Sequence, residues 1–159
     1  MVRQKSDRLN IKGAPVQPTE LLKSRIRPLT TAISSPGGKC VLYVMSRDQR
    51  VDANYALLAA QKHALAKKLP LCVVFCLYPK TGQRSREHYE FMIEGLKEVE
   101  QKLNSLQIPL MLLIGEPEEK LSATFVHLCP DAVYFDFNPL RGPKKLQAKE
   151  AAKNPRRTA

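Results

Sequence analysis

The sequence predicts an α/β fold built on a doubly wound parallel sheet, and three observations carry that prediction. Four short, mainly apolar runs recur at 40–45, 71–78, 108–114 and 132–137. Each is apolar at successive rather than alternate positions, the pattern of strands buried on both faces. Between them lie segments whose apolar residues recur at helical spacing, so helices are expected to cover the sheet on both sides.

The elements follow in chain order. Residues 1–38 read as a basic arm containing Pro15, Pro18, Pro28 and Pro36 and ending in the turn cluster Ser-Ser-Pro-Gly-Gly. A short helix over 19–27, with Thr19 as its N-cap, is the one element expected there. CVLYVM (40–45) has the β-branched and aromatic content of a strand. Residues 51–68 carry Val51, Tyr55, Leu58, Leu65 and several alanines, a helix closed by Pro70. LCVVFCLY (71–78) is the second strand. A charged loop then leads to a helix over 87–106, where Phe91, Leu96, Val99 and Leu103 are expected to share a face. IPLMLLI (108–114) is the third strand. Pro117, with acids after it, starts a helix over 118–128, since proline and negative charge both suit a helix N-terminus. AVYFDF (132–137) is the fourth strand, and 141–159 reads as a disordered basic tail.

The length of 159 residues suits one domain, by the prior of roughly 100–200 residues each. Apolar residues at 43% and charged residues at 26% exclude collagen, a disulfide scaffold and a wholly disordered chain. The formal charge of +11 is unevenly placed. Residues 1–39 carry +6, residues 141–159 another +6, and 40–140 are close to neutral at −1. The basicity belongs to the ends, which suit weak, non-specific contact with nucleic acid or plain solvation.

Cys40, Cys72, Cys76 and Cys129 have no zinc spacing and are expected as free thiols of a reducing compartment. The N-terminus lacks the apolar core of a secretion signal, and Pro15 and Pro18 interrupt any long amphipathic presequence helix. No run is long enough to span a membrane. Nucleus or cytoplasm is therefore the expected location. His63, His88 and His127 sit on separate helices and are expected as surface or capping residues.

In a doubly wound sheet, ligands sit at the carboxyl ends of the strands, near the point where strand order reverses. That rule nominates residues 45–50, 77–80, 115–117 and 136–140. No glycine fingerprint or phosphate loop follows the first strand. This weighs against a nucleotide-binding domain of the adenine-nucleotide hydrolase type. Arg47-Asp48-Gln49-Arg50 is the densest polar cluster at a strand end. It reads either as an internal salt bridge, with Asp48 holding an arginine, or as a ligand rim or interdomain contact. Asp136, between two phenylalanines, is either a turn or capping residue or a polar anchor in an apolar pocket. No nucleophile–base pair and no facing carboxylates are evident.

The stretch VLYVMSRDQRVDANYALLAAQ resembles the first strand and helix of the class II cyclobutane pyrimidine dimer photolyases. The similarity continues through LPLCVVFCL, through HYEFMIEGLKEVEQKLNSLQIPLMLLIGEP and into Asp136-Phe-Asn-Pro-Leu-Arg141. Arg25-Ile-Arg-Pro-Leu29 resembles the segment preceding the domain in that family. Val44 and Tyr55 stand where the family carries tryptophans, and Ala53-Asn54 replaces its Asp-Asn pair.

The resemblance implies the N-terminal α/β domain of a light-driven DNA repair lyase, with DNA as the partner of the intact protein. That domain can house an antenna pigment, a deazaflavin or a folate. The catalytic FAD belongs to a helical C-terminal domain beyond this chain, so no catalytic residue is expected here, and the chain alone is expected to lack repair activity. The expected pigment pocket takes Met45, Ser46, Arg47 and Asp48 from the first strand end, and Cys76 and Leu77 from the second. Gly115 and Glu116 come from the third, and Asp136, Phe137 and Asn138 from the fourth. A second reading is a non-enzymatic module that docks on nucleic acid or a partner through its basic ends.

Overall fold

A computed structural model of the chain describes residues 26–29, 37–78 and 85–153. Most of the proline-containing arm, residues 19–25 of its expected helix and the last six residues lie outside these, and the two described residues of that helix, Ile26 and Arg27, are not helical. Four strands, β1 (Val41–Met45), β2 (Leu71–Leu77), β3 (Leu110–Ile114) and β4 (Ala132–Phe135), alternate with four helices. The helices are α1 (Tyr55–Lys67), α2 (Arg86–Ser105), α3 (Pro117–Leu128) and α4 (Arg141–Lys153). All strand pairs are parallel, in the order β3-β2-β1-β4. The doubly wound α/β architecture is therefore as the sequence predicts. The order reverses between β1 and β4, which makes their carboxyl ends the switch point.

The sheet separates two apolar layers. On one face, Val41, Tyr43, Val73 and Phe75 pack with Leu57, Ala60 and Ala64 of α1 and Leu96, Val99 and Leu103 of α2. On the other, Leu42, Val44, Val74 and Val133 pack against Leu121 and Phe125 of α3, with Leu146 of α4 alongside. β1 is buried at all five positions because it has a strand on each side and helices on both faces.

The helix faces differ from the expected ones. In α1, Leu57, Ala59, Ala60 and Ala64 are buried, whereas Leu58 and Leu65 face solvent. Small side chains let this helix lie close to the sheet, so alanine wins over leucine. In α2 the buried row is Leu96, Val99 and Leu103, with Met92 half-buried, and Phe91 is 81% exposed. Met92, not Phe91, stands four residues before Leu96, so it shares that stripe. β3, expected as a covered strand, is a sheet edge: Leu112 and Ile114 are exposed.

The tail reading of 141–159 is corrected over Arg141–Lys153 by α4, the remainder lying outside the described residues. Pro143 stands in its first turn, where a missing N–H costs nothing. The helix packs on α3 through Leu146 and the wholly buried Glu150, whose carboxylate accepts from Ser122 Oγ at 3.0 and 3.1 Å, and Ala151 is buried beside them in sequence. Gln147 Nε2 donates to the Asp136 carbonyl at 3.0 Å, tying α4 to the end of β4.

At the amino ends of β1 and β4 the chains approach closely. A Cβ on Gly38 would lie 2.2 Å from Asp131 Cα, so only glycine fits there. His63 is neither a surface nor a capping residue. Its Nδ1 lies 2.9 Å from Tyr134 Oη and its Nε2 2.9 Å from the buried Asp131 carboxylate. His88 and His127 are exposed as expected. All four cysteines are free; Cys40 is buried and the others are half-buried.

Candidate functional site

The carboxyl end of the sheet holds two different places, one on each side of β1. The first is the switch-point crevice between β1 and β4. Its centre is Asp136, which follows β4 and is only 2% exposed. Oδ2 of Asp136 accepts from the backbone amides of Ser46 (2.7 Å), Arg47 (2.8 Å) and Asp48 (3.1 Å), with Ser46 Oγ at 3.3 Å. Oδ1 accepts a short hydrogen bond from the hydroxyl of Tyr43. Burial, then the Asp136 charge and that hydrogen bond, hold the Tyr43 hydroxyl well above the usual phenol range, so it remains a donor.

Asn54 completes the network. It is wholly buried, caps α1 by accepting from Leu57 N at 3.0 Å, and donates to Tyr43 Oη at 2.8 Å. The same Nδ2 lies 3.1 Å from the Asp48 carbonyl and 3.0 Å from that of Arg50. The loop 46–50 is thus fixed through its backbone. Asp48 forms no ion pair with Arg47 or Arg50 among the described residues, which corrects the salt-bridge reading of that cluster. Both arginine side chains face outward.

The second place is an open cleft of about 620 Å³ beyond the ends of β1 and β2. Val44, Met45, Phe75, Cys76 and Leu77 form its base. Tyr78, Tyr89 and Met92 make one wall, and Glu116, Pro117, Glu118 and Leu121 of the β3–α3 turn another. Pro143, Lys145, Leu146 and Lys149 of α4 close the third side, with Ser46, Gln49 and Gly142 also at the lining. Tyr89 Oη donates to the Tyr78 carbonyl at 3.2 Å. A hydrogen bond between Tyr78 and Glu116, and then the Glu116 charge, raise the Tyr78 hydroxyl above its ordinary range. Lys149 Nζ pairs with Glu118 at 3.1 Å, while Lys145 forms no ion pair among the described residues. Burial pushes the Cys76 thiol up to about 11.

Of the residues nominated from the sequence, Met45, Ser46, Cys76, Leu77 and Glu116 line the cleft. Arg47, Asp48 and Asp136 belong to the crevice, where Asp136 is an anchor whose capacity the protein itself satisfies. Gly115 ends β3 in the left-handed region, φ +128°, with Lys120 against it. Phe137 is 78% exposed, and Asn138 accepts from Leu140 N at 3.1 Å in a local turn. Tyr89, Met92, Lys145 and Lys149 were not nominated. A signal for the lysines existed: Pro143, then Leu146 and Glu150 four residues apart, mark a helix start and a buried stripe.

This fold, a parallel sheet covered by helices on both faces with a small-molecule-sized cleft at its carboxyl edge, defines a Rossmann-like α/β domain. The family profile described as DNA photolyase matches residues 41–157, and the chain belongs to that family. It is 46% identical over 99 residues to a deoxyribodipyrimidine photo-lyase of Potorous tridactylus, covering 62% of this chain and 19% of that protein. A deoxyribodipyrimidine photo-lyase of Oryza sativa subsp. japonica is 36% identical over 120 residues, covering 74% of this chain and 23% of the relative. The chain thus spans about a fifth of the length of these relatives. Among solved structures, a universal stress protein in complex with cAMP superposes with a TM-score of 0.51 at 14% identity. That match covers 74% of this chain and 94% of the other, and shows a shared fold. No helix among the described residues is long and apolar enough to cross a membrane.

Proposed function

We propose that this chain is the antenna-type α/β domain of a class II photolyase, and that its cleft takes a deazaflavin or a folate. The observation that carries this reading is the cleft itself. Its volume of about 620 Å³ lies in the range of small-molecule sites, roughly 300–1,000 Å³. Tyr78 and Tyr89 offer aromatic surface to a planar ring. Lys145 offers a cation to an anionic substituent. The apolar base of Val44, Phe75 and Leu77 excludes water beneath the ring. A pigment bound there absorbs light and passes excitation to a flavin, which by the resemblance lies in a separate helical domain. Light-driven repair of cyclobutane pyrimidine dimers, with DNA as partner, is the proposed activity of the longer protein. The MSRDQR motif at 45–50 supports the class II assignment.

The chain contains no tryptophan, so binding is read from the pigment's own emission without interference. Titration of the full chain with a 5-deazaflavin, and separately with a methenylated folate, is expected to give saturation at micromolar concentration for one of them. Tyr89→Ala is expected to weaken that binding several-fold. Absence of binding for both pigments to the folded chain overturns the antenna reading.

A further inference from the structure

The crevice between β1 and β4 has the chemistry of an anion site. Three successive backbone amides after a strand point at one spot, the arrangement by which main-chain nests hold phosphates and carboxylates. Here that spot is taken by Oδ2 of Asp136, with amide distances of 2.7, 2.8 and 3.1 Å. The carboxylate arrives from 88 to 90 residues away in the chain and is sealed from solvent.

The amides do not depend on Asp136 alone for their placement. Asn54 grips the carbonyls of Asp48 and Arg50, Arg50 N donates to the Asp48 carbonyl at 2.8 Å, and Gln49 Nε2 donates to that of Ser46 at 3.2 Å. The donors therefore stay preorganised if the carboxylate is removed. Arg47 and Arg50, exposed at the rim with no ion pair among the described residues, set two positive charges against those of Asp48 and Asp136.

We infer that the switch point of this sheet is an anion-binding site filled by the chain's own Asp136 carboxylate, which excludes phosphate- or carboxylate-bearing ligands from it. Any small molecule bound at the carboxyl end is thereby confined to the cleft beside β2. The inference stands apart from the pigment reading, since it concerns the other side of β1 and needs no pigment.

Asp136→Gly tests it in the full chain, because the vacated space matches a small carboxylate. Sodium formate is expected to raise the unfolding midpoint of the variant over sodium chloride at equal ionic strength. The expected rise is about 3–6 °C, the shift that a ligand at ten times its Kd gives a domain of this size. The wild type is expected to show no difference between the salts. Formate is also expected to move the Ser46, Arg47 and Asp48 amide resonances of the variant. A folded variant that ignores formate, or a wild type that responds equally, overturns the proposal.

Two further measurements decide the matter if Asp136→Gly does not fold. In Asp136→Asn, which keeps the shape but loses the charge, the same three amide protons are expected to shift upfield; unchanged positions overturn the proposal. In the wild type, inorganic phosphate is expected to leave those amides in place. Saturable displacement of them by phosphate means the site is open and also overturns it.

Discussion

The two sides of β1 differ in how the protein ends its sheet. Toward β4, three amides and two hydroxyls converge on the buried Asp136 carboxylate, and Asn54 holds one of those hydroxyls, that of Tyr43, from behind. Toward β2, the strands end in apolar residues, and the surrounding loops and α4 stand back to leave about 620 Å³. The closed side is polar and the open side largely apolar at its base. Buried polar groups must be paired, so an internal network closes its own space. An apolar base makes no such demand and leaves room for a ligand to cover it. The closed network and the open cleft thus lie on opposite sides of one strand.

The largest expected effect of breaking this division comes from Asn54→Ala. It removes the cap of α1, takes one donor from the Tyr43 hydroxyl and the Asp48 carbonyl, and leaves the buried end of the loop without its donor to the Arg50 carbonyl, a loss of about 2–4 kcal/mol by denaturant titration. Tyr43→Phe is expected to cost less, about 1–2 kcal/mol, since Asp136 keeps its amide donors and Asn54 keeps two carbonyls. On the open side, the Cys76 thiol is held neutral by burial, from 9.0 up to about 11. Stability from the neutral thiol is therefore expected in full below pH 9 and to decline as pH rises toward 11. Iodoacetamide at pH 8 is expected to label Cys72 before Cys76, because a hydrogen bond from Cys40 lowers the Cys72 thiol; peptide mass spectrometry reads the order. Lys145→Glu sharpens the contrast with the smallest change in stability, expected within about 0.5 kcal/mol, and on the proposed antenna reading it is expected to weaken pigment binding. A large loss of stability there would show that the cleft wall carries the fold.

Much of the fold was legible locally. CVLYVM, LCVVFCLY and AVYFDF are apolar at successive positions, and each became a strand. Proline at position 117 and the acids after it placed the start of α3. The buried face of α1 was not legible, because a row of alanines carries less hydrophobic signal than Leu58 and Leu65. The helix over 141–153 was hidden by its charge: five of its residues are Lys or Arg, while its buried stripe is short. Five of the nominated pocket residues line the cleft because strand ends follow from strand limits. The wall from α4 and the aromatic pair did not follow, since they depend on where helices land.

By itself, the sequence determined the number, kind and alternation of elements within 40–137, and it carried the motif that marks the family. These are local properties, set by periodicity, capping and turn residues within a few positions. Only the tertiary structure decided that β4 lies beside β1, bringing Asp136 onto the amides of Ser46, Arg47 and Asp48. An aspartate and a polar loop some 90 residues apart carry no local sign of each other. Their pairing is chosen by strand order, which follows from how the whole apolar surface is buried.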